Sequence, residues 1–372
     1  MSALSDPNTP LLFTLYPKLP TPFTQQWHLG FQYQLPGESV FELSYAGSHG
    51  SDLYNYYNGN QAQPNPTFCS TPPNTFGNCP TAPRRPAQSC DDSVSPPNCN
   101  GVFDTAIDEI RADGFSNYTS LQVRFEKNFS HGLQFEASYT YAHALDDASS
   151  ANLGSLNNGD FRDELYPYLE YGNSDFDVRH RFVISYIYQL PFGNGKRFFA
   201  NASGLLNQLI GNWQVAGITT AQTGNYFTIT DSLTNFSDSD GGGGVGYYQV
   251  RPNVVGNPNA APCMPGTIFN TCAFVDNMIP YTFGTAGRNI VRGPGLQNWD
   301  FSIFKMFPVH EQTRFEFRSE FFNIWNHVNP LFEPLGLISE EPVPLEFGTT
   351  QFGYPQGARD PRFIQFALKF YF

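Results

Sequence analysis

The strongest constraint on the fold is a strict two-residue alternation in the last eleven residues, from Arg362 to Phe372. Apolar side chains occupy every second position, and the chain ends on an aromatic residue. They are Ile364, Phe366, Leu368, Phe370 and Phe372. Such alternation is typical of a β-strand with unlike faces. A strand of ten or eleven residues, tilted by about 40°, covers an apolar band of about 25 Å, which is the requirement of a membrane strand. The alternative interpretation of this segment is a buried edge strand.

Eight earlier segments alternate in the same way, so the sequence predicts at least nine strands. They include Trp27–Leu35, Phe41–Tyr45, Leu121–Phe125, Leu133–Tyr141, Phe182–Tyr188, Trp213–Gly217, Trp299–Ile303 and Phe315–Phe321. Short connections alternate with long polar ones, and the first long loop is expected from about Ser51 to Gly114. The connection from Leu190 to Gly211 carries a short apolar helix candidate at Leu205–Ile210.

Composition favours a membrane sheet over a soluble one. Aromatic residues make up 16% of the chain and charged residues 14%, against roughly 25% charged in soluble domains. No apolar run is long enough for a transmembrane helix. The net charge of −13 argues against a nucleic-acid partner, which would require a basic surface. Alternation alone would also fit a soluble β-sandwich in a cytosolic protein.

Two further patterns favour the barrel over the sandwich. The polar faces carry full charges of both signs, as expected for a water-filled lumen. These predicted lumen-facing residues are Arg124, Glu126, Glu136, Arg314, Glu316, Arg318 and Glu320. All four tryptophans lie near strand ends, which predicts an aromatic girdle at the membrane surfaces. The girdle residues are Trp27, Trp213, Trp299 and Trp325.

The prediction is therefore an all-β protein: a partial antiparallel transmembrane β-barrel of about nine or ten strands. Long loops would be extracellular, short turns periplasmic, and the C-terminus periplasmic in a Gram-negative cell outer membrane. An odd number of strands is a problem, because closed antiparallel barrels have an even number. Either a strand was missed, with Tyr226–Thr230 and Gln249–Val254 as candidates, or earlier strands are missing.

The N-terminal region favours missing strands. Residues 1–10 contain neither the basic nor the apolar region of a signal peptide, although a barrel must be exported. We therefore expect residues 1–21 to be a stub or loop remnant and residues 22–372 to be the C-terminal part of a barrel in a longer precursor.

The six cysteines fit an oxidising compartment. Their spacing of about ten residues within Pro- and Asn-rich sequence suggests local loop disulfides rather than a zinc site. The residues are Cys69, Cys79, Cys90, Cys99, Cys263 and Cys272. Connectivity stays open, since six cysteines allow 15 pairings. No catalytic constellation, metal site or cofactor motif is present in the sequence, and we do not expect an enzyme.

Several segments together resemble a known family. The terminal strand resembles the signal that the barrel-assembly machinery reads in outer-membrane proteins. The order of motifs is similar to that in the C-terminal barrel of Oar-like TonB-dependent receptors. Examples are Gln25–Gly30, Tyr45–Gly50, Asn117–Gln122, Ser138–His143, Asp177–Phe182, Arg288–Asn289, Gly293–Gly295 and Phe321–Asn326.

The resemblance implies a transporter in which an N-terminal plug fills a 22-stranded barrel and TonB supplies energy through an N-terminal box. Neither plug nor box is present in this sequence, so TonB would act only through a missing N-terminal region. The partners expected are outer-membrane lipid, the barrel-assembly machinery, and possibly the missing plug and strands. The ligand is open. A structural or adhesive barrel protein with large surface loops is the alternative.

Overall fold

The structure, a computed structural model, describes residues 12–15, 17, 19–58, 107–149, 166–231, 251–277, 282–310, 313–332 and 345–372. Its main element is one antiparallel sheet of nine long strands. They are β1 (Phe23–Leu35), β2 (Ser39–Asn58), β3 (Ile107–Ser130), β4 (Leu133–Asp146), β5 (His180–Gln189), β6 (Trp213–Gln222), β7 (Leu296–His310), β8 (Thr313–Phe322) and β9 (Phe363–Tyr371). Eight predicted segments lie within these strands, and the ninth, Arg362–Phe372, extends one residue beyond β9 at each end. The predicted all-β class is confirmed.

The strands form a meander in which each one pairs with the next along the chain. Within the described residues the sheet is open: β1 and β9 are its two ends, and they do not pair with each other. The candidate tenth strand was wrong, because Tyr226–Phe227, Thr230–Asp231 and Asn253–Val254 are two-residue strands outside this sheet. In an antiparallel meander β1 and β9 run in the same direction, so antiparallel closure requires an odd number of additional strands.

The strand registers place the apolar positions in continuous rows across the sheet. Phe31 lies opposite Leu43, Leu43 opposite Val123, and Val123 opposite Tyr139. Because side chains alternate between faces, the intervening positions form equally continuous polar rows. One of them runs through Gln32, Glu42, Arg124 and Ser138. The sheet therefore has one aromatic face and one polar face along its whole width.

One end of the sheet, which we call the short-turn end, carries the tight connections. His131 and Gly132 alone connect β3 to β4, and both have positive φ, at 51° and 82°. Two consecutive residues with positive φ are the requirement of a type I′ hairpin, and glycine adopts this conformation without steric cost. The opposite end, the long-loop end, carries the long connections.

Strands β2 and β3 extend well past the predicted limits. The long loop expected from Ser51 to Gly114 is wrong at both edges, because β2 continues to Asn58 and β3 begins at Ile107. At about 3.3 Å per residue these strands are roughly 66 and 79 Å long, far more than a membrane crossing needs. The hairpin therefore projects beyond the rest of the sheet. Leu12–Leu15 adds a short parallel strand at its projecting end, paired with Ile107–Ile110.

Two glycines on the aromatic face accommodate large rings from the neighbouring strand. A Cβ placed on Gly47 would lie 2.2 Å from the Trp27 ring, and one on Gly217 would lie 2.6 Å from the Tyr186 hydroxyl. Both glycines are directly opposite their aromatic partners in the strand register. Glycine therefore allows each ring to lie flat across the sheet surface.

The connection between β5 and β6 contains the predicted helix, α1 (Gly204–Ile210). Two 3-10 turns occur at Pro167–Glu170 and Thr271–Ala273. Of the helices in the described ranges, none has the length and hydropathy needed to span a bilayer.

The remaining two-residue strands lie in the long connections. They are Gly172–Asn173, Tyr226–Phe227, Thr230–Asp231, Asn253–Val254, Phe274–Val275, Val291–Arg292, Pro330–Leu331, Glu346–Phe347 and Gly357–Ala358. Thr230–Asp231 pairs with Glu346–Phe347, which belongs to a different connection, whereas Gly172–Asn173 pairs with β4 and the other pairs each lie within one connection.

The main hydrophobic core lies in the loops rather than in the sheet. We define the loop module as the described parts of the β6–β7 and β8–β9 connections, within residues 223–295 and 323–362. Its buried core consists of Ile229, Phe269, Ala273, Phe274, Ala286, Val291, Phe332, Leu345 and Phe352. Phe269 makes edge-on ring contacts with Phe274, Phe332 and Phe352. A core shared by both connections stabilises them as one folded unit.

Candidate functional site

The polar face of the sheet is concave. A cavity of about 390 Å³ on this face is lined by Glu126 on β3, Ser185 on β5, Asp300 on β7 and Glu320 on β8. Side chains from strands so far apart in the sheet can share one cavity only if the sheet curves toward its polar side. The concave polar side of the sheet, which we call the channel, is open between β1 and β9 in the described residues, and the aromatic face is the convex, outward one.

Arg124 organises the charges on one side of this channel. Its guanidinium contacts Glu126 at 2.7 Å, Glu136 at 3.0 Å and Glu42 at 3.7 Å, so three carboxylates from three adjacent strands surround one cation. Glu126 and Glu136 lie directly opposite each other in the β3–β4 register. Without Arg124 these like charges would repel each other. The cluster leaves excess negative charge facing the channel.

A second charge cluster lies on β8 and β9. Arg318 forms an ion pair with Glu316, which also accepts a hydrogen bond from the Tyr371 hydroxyl at 3.2 Å. Glu320 accepts one from Gln365 Nε2 at 3.1 Å. The Arg314 guanidinium lies 4.6 Å from the centre of the Tyr371 ring. All seven predicted lumen charges are thus on the polar face; their role in a channel stays a prediction.

A larger cavity of about 650 Å³ lies where the channel meets the loop module. Its lining combines Asn298, Asp300 and Asn323 with the cations Arg359 and Arg362. Asp300 is held by the side chain of Asn298 and the backbone N–H of Asn323, both at 3.0 Å. This donor and acceptor mixture suits a polar solute with hydroxyl or carboxylate groups.

Buried ion pairs connect the loop module to the sheet and the other loops. Glu170 and Arg251 form a 2.6 Å pair with both side chains fully buried. Arg288, also buried, pairs with Asp146 at the end of β4 and donates to the Glu170 carbonyl at 3.1 Å. Buried charges are tolerated only when they are paired and hydrogen-bonded. These contacts therefore hold the β4–β5 and β6–β7 connections and the end of β4 in one arrangement.

Asparagine side chains extend the same network. Asn289 Nδ2 donates to the Asn173 carbonyl at 2.7 Å and to the Asp175 carboxylate at 2.6 Å. Its own side-chain oxygen accepts from the Thr228 hydroxyl at 3.0 Å. The Arg288–Asn289 dipeptide noted in the sequence thus lies at the centre of the contacts between loops.

Asp147, next to this network, is an unusual carboxyl group. Burial raises its pKa from 3.8 to about 6, and the nearby Asp113 carboxylate adds to the rise. The Phe115 backbone N–H at 3.1 Å and Asn55 Nδ2 at 3.5 Å oppose the shift by stabilising the anion. Asp147 lies just beyond β4 at the long-loop end, so its protonation state is linked to loop stability.

The predicted disulfide residues fall into two groups. Cys263 and Cys272 are joined by a disulfide within the loop module. Cys69, Cys79, Cys90 and Cys99 lie outside the described residues, so their pairing stays a prediction.

The predicted assembly signal and tryptophans lie at the positions that their strands dictate. Ile364, Phe366, Leu368, Phe370 and Phe372 are all exposed on the aromatic side of β9 and beyond its end. Trp213 begins β6 at the short-turn end, Trp27 and Trp299 lie near the long-loop ends of β1 and β7, and Trp325 directly follows β8. Recognition by assembly machinery and a girdle role stay predictions.

Sequence reasoning missed Lys305. It occupies the aromatic face of β7, between Ile303 and Phe307, yet only 2% of it is exposed. Its ammonium group donates to the Gly211 carbonyl and lies 5.1 Å from the Trp213 ring centre. A lysine breaking the apolar row was the available signal. It bends its charged end toward the short-turn end, as lysines do near membrane surfaces.

The described residues show no cluster of three His, Cys, Asp or Glu side chains that could hold a metal ion. The arrangement instead provides a curved sheet with an aromatic outer face, a charged inner face and folded loops over one end. The first two are the inside–outside division of a membrane barrel.

The model of the outer membrane beta barrel domain family matches residues 1–365, nearly the whole chain. This chain belongs to the outer membrane beta barrel domain family. The family places the protein in the outer membrane, so the aromatic face is the lipid-facing one. No curated protein matched the sequence closely enough to serve as a relative.

Among solved structures the chain is similar to outer-membrane transporters and receptors. The outer membrane transporter YddB from Escherichia coli has 10% identity and a TM-score of 0.44, with 98% of this chain and 34% of that chain covered. BauA, the ferric preacinetobactin receptor from Acinetobacter baumannii, has 10% identity and a TM-score of 0.40, with 94% of this chain and 29% of that chain covered. Fiu, the ferric-catecholate import receptor from E. coli K12, has 10% identity and a TM-score of 0.39, with 94% of this chain and 28% of that chain covered. The chain spans about a third of the length of these proteins.

Proposed function

We propose that this chain is the C-terminal barrel portion, residues 22–372, of an Oar-like TonB-dependent receptor that takes up a polar ligand. The main observation in support of this proposal is the open sheet of nine strands, whose two edge strands run in the same direction. Exposed edges favour pairing with further strands. A barrel of roughly 22 strands would contain an odd number of strands in addition to these nine. Antiparallel closure of the sheet requires an odd number of additional strands.

The ligand path would run from the loop module through the charged channel. The polar cavity at their junction and the carboxylates around Arg124 would select the ligand, and no catalytic step is proposed. Because the ligand would enter at the loop module, the long loops are extracellular, while the short turns and the C-terminus are periplasmic. TonB would act on a plug domain encoded elsewhere in the receptor, so residues 22–372 alone would bind without importing.

The test is the coding sequence that precedes residue 1 in the genome. We expect an in-frame signal peptide, a TonB-contacting box, a plug domain and an odd number of alternating strand segments. A stop codon followed by unrelated sequence, or an even number of strand segments, would contradict the proposal.

A structural or adhesive role is the second candidate, favoured by the loop module with its own aromatic core and disulfide. A rigid surface module suits adhesion to another surface, whereas a receptor requires passage through the channel. Deleting the gene should reduce growth on the imported ligand if the receptor proposal holds. A loss of surface adhesion with unchanged uptake would support the adhesive protein instead.

A further inference from the structure

The β5–β6 connection, residues 190–212, has a composition that differs from the rest of the chain. It carries two basic side chains, Lys196 and Arg197, and no acidic one, although the whole chain has a net charge of −13. It also exposes six large apolar side chains at the short-turn end: Phe192, Phe198, Phe199, Leu205, Leu206 and Leu209. A contiguous exposed apolar patch next to cations marks an interaction surface.

Helix α1 has one side attached to the protein and one side free. Asn207 Oδ1 accepts from the Asn194 backbone N–H at 2.8 Å, and Gln208 Nε2 donates to the Pro308 carbonyl at 3.2 Å. Leu205, Leu206 and Leu209 point elsewhere, with 84%, 51% and 69% of their surfaces exposed. The helix is thus amphipathic, with its apolar stripe directed away from the protein.

The helix is attached to the lipid-facing side of the sheet. Trp213 Nε1 donates to the Leu209 carbonyl at 2.9 Å, and Lys305 donates to the Gly211 carbonyl. Both Trp213 and Lys305 belong to the aromatic face, on which they lie opposite each other in the β6–β7 register. The leucine stripe therefore continues the outer face of the barrel at the level of the short turns.

We propose that this connection is a membrane-interface anchor for anionic glycerophospholipid. Leu205, Leu206 and Leu209 insert at the boundary between headgroups and acyl chains, as amphipathic interfacial helices do. The phosphate of the headgroup is attracted by Lys196 and Arg197, the two basic side chains of the connection. The surface is continuous with the lipid-facing sheet, so a phospholipid, rather than a protein partner, is its natural occupant. The inference rests on membership of the outer-membrane family, not on transport.

The test is photo-crosslinking of the full chain in vesicles of phosphatidylethanolamine and phosphatidylglycerol. p-Benzoylphenylalanine replaces Leu206 in one variant and Asn201, on the same connection, in a matched variant. The same probe in place of Phe366 on β9 reports whether the barrel strands have inserted. Mass spectrometry then identifies the crosslinked lipid. We expect phospholipid adducts at positions 206 and 366 but not at 201.

The charge requirement is tested in the probe-206 protein with Lys196→Gln and Arg197→Gln together. The control replaces two exposed arginines at the long-loop end, Arg292→Gln and Arg359→Gln. We expect the first pair to reduce adducts with phosphatidylglycerol, relative to phosphatidylethanolamine, by about tenfold, and the control pair to leave the ratio unchanged.

Two results would overturn the proposal. One is an adduct at position 366 with none at position 206, which would mean that the strands insert while α1 stays in water or binds a protein. The other is an unchanged lipid ratio after loss of Lys196 and Arg197. Absence of adducts at position 366 would instead count against membrane insertion of the barrel portion, which is a separate failure.

Discussion

At the scale of single residues, the chain places ionisable groups in environments that their sequence neighbours do not announce. Lys305 lies in an apolar row and reaches Gly211, and Asp147 lies buried against Phe115 and Asn55. Both depend on partners in other segments of the chain. The role of a glycine or another residue in a short turn can be predicted from the local sequence. The role of a buried charge can be predicted only when its partners in other segments are known.

Asp147 makes loop stability depend on pH. Its pKa is raised by burial to about 6 in the folded protein, so the folded state binds the proton more tightly than the unfolded state does. Stability should therefore be highest below about pH 4, fall as pH rises through about 6, and stay level above that. The total loss should be up to about 3 kcal/mol. Asp147→Asn should remove this dependence.

Urea unfolding followed by tryptophan fluorescence, at about pH 4.5 and about pH 7, measures the difference. Asp175→Asn is a control at a more exposed carboxyl of the same region. An equally large pH effect in wild type and Asp147→Asn would contradict the role of this group.

At the scale of elements, the two-residue period determines which face of each strand meets lipid. β9 shows this most simply, because adjacent residues experience opposite environments. Phe366 is near the middle of the strand with 66% of its surface exposed on the aromatic face, whereas Gln365 bonds Glu320 on the polar face. A strand with this pattern can satisfy a lipid surface and a water-filled channel at once.

Phe366→Arg should destabilise the membrane-inserted protein by about 2–4 kcal/mol, because the charge would face lipid near the bilayer midplane. Gln365→Arg is the matched control: its charge would face the channel beside Glu320, so the change should cost far less. Urea unfolding in phospholipid vesicles compares the two. Equal costs at both positions would show that the inside and outside assignment is wrong.

At the scale of the whole molecule, three long connections are held together by buried charge pairs and a shared aromatic core. Glu170 belongs to the β4–β5 connection and Arg251 to the β6–β7 connection, 81 residues further along the chain. Both are fully buried, so neither can lose its partner without a large desolvation penalty. The loops should therefore loosen together rather than one at a time.

Glu170→Gln should cost about 3–5 kcal/mol, because it removes a buried carboxylate from its ion pair with the buried Arg251 cation. Limited proteolysis should then cleave within both residues 166–179 and residues 251–277 at matched rates. Glu136→Gln, at an exposed pair with Arg124, should cost at most about 1 kcal/mol and leave the loops protected. Cleavage confined to one of the two segments would contradict a jointly folded module.

The sequence by itself determined the nine strands, the face of each side chain, α1 and the alternation of short and long connections. These depend on local periodicity, which a strand or helix expresses without knowledge of the rest of the fold. It could not determine the lengths of β2 and β3, because their outer halves lack a clean alternation and are stabilised by each other.

Only the tertiary structure decided how the loops pack and whether the two edge strands of the sheet pair with each other. The Arg288–Asp146 pair joins residues 142 positions apart, and the Glu170–Arg251 pair also spans separate connections. No local pattern encodes such pairs, because they form only after the sheet has brought its long connections to the same end. The alternation in Arg362–Phe372 likewise predicted a membrane strand from local sequence. The unpaired edges of the sheet were visible only once all nine strands were assembled.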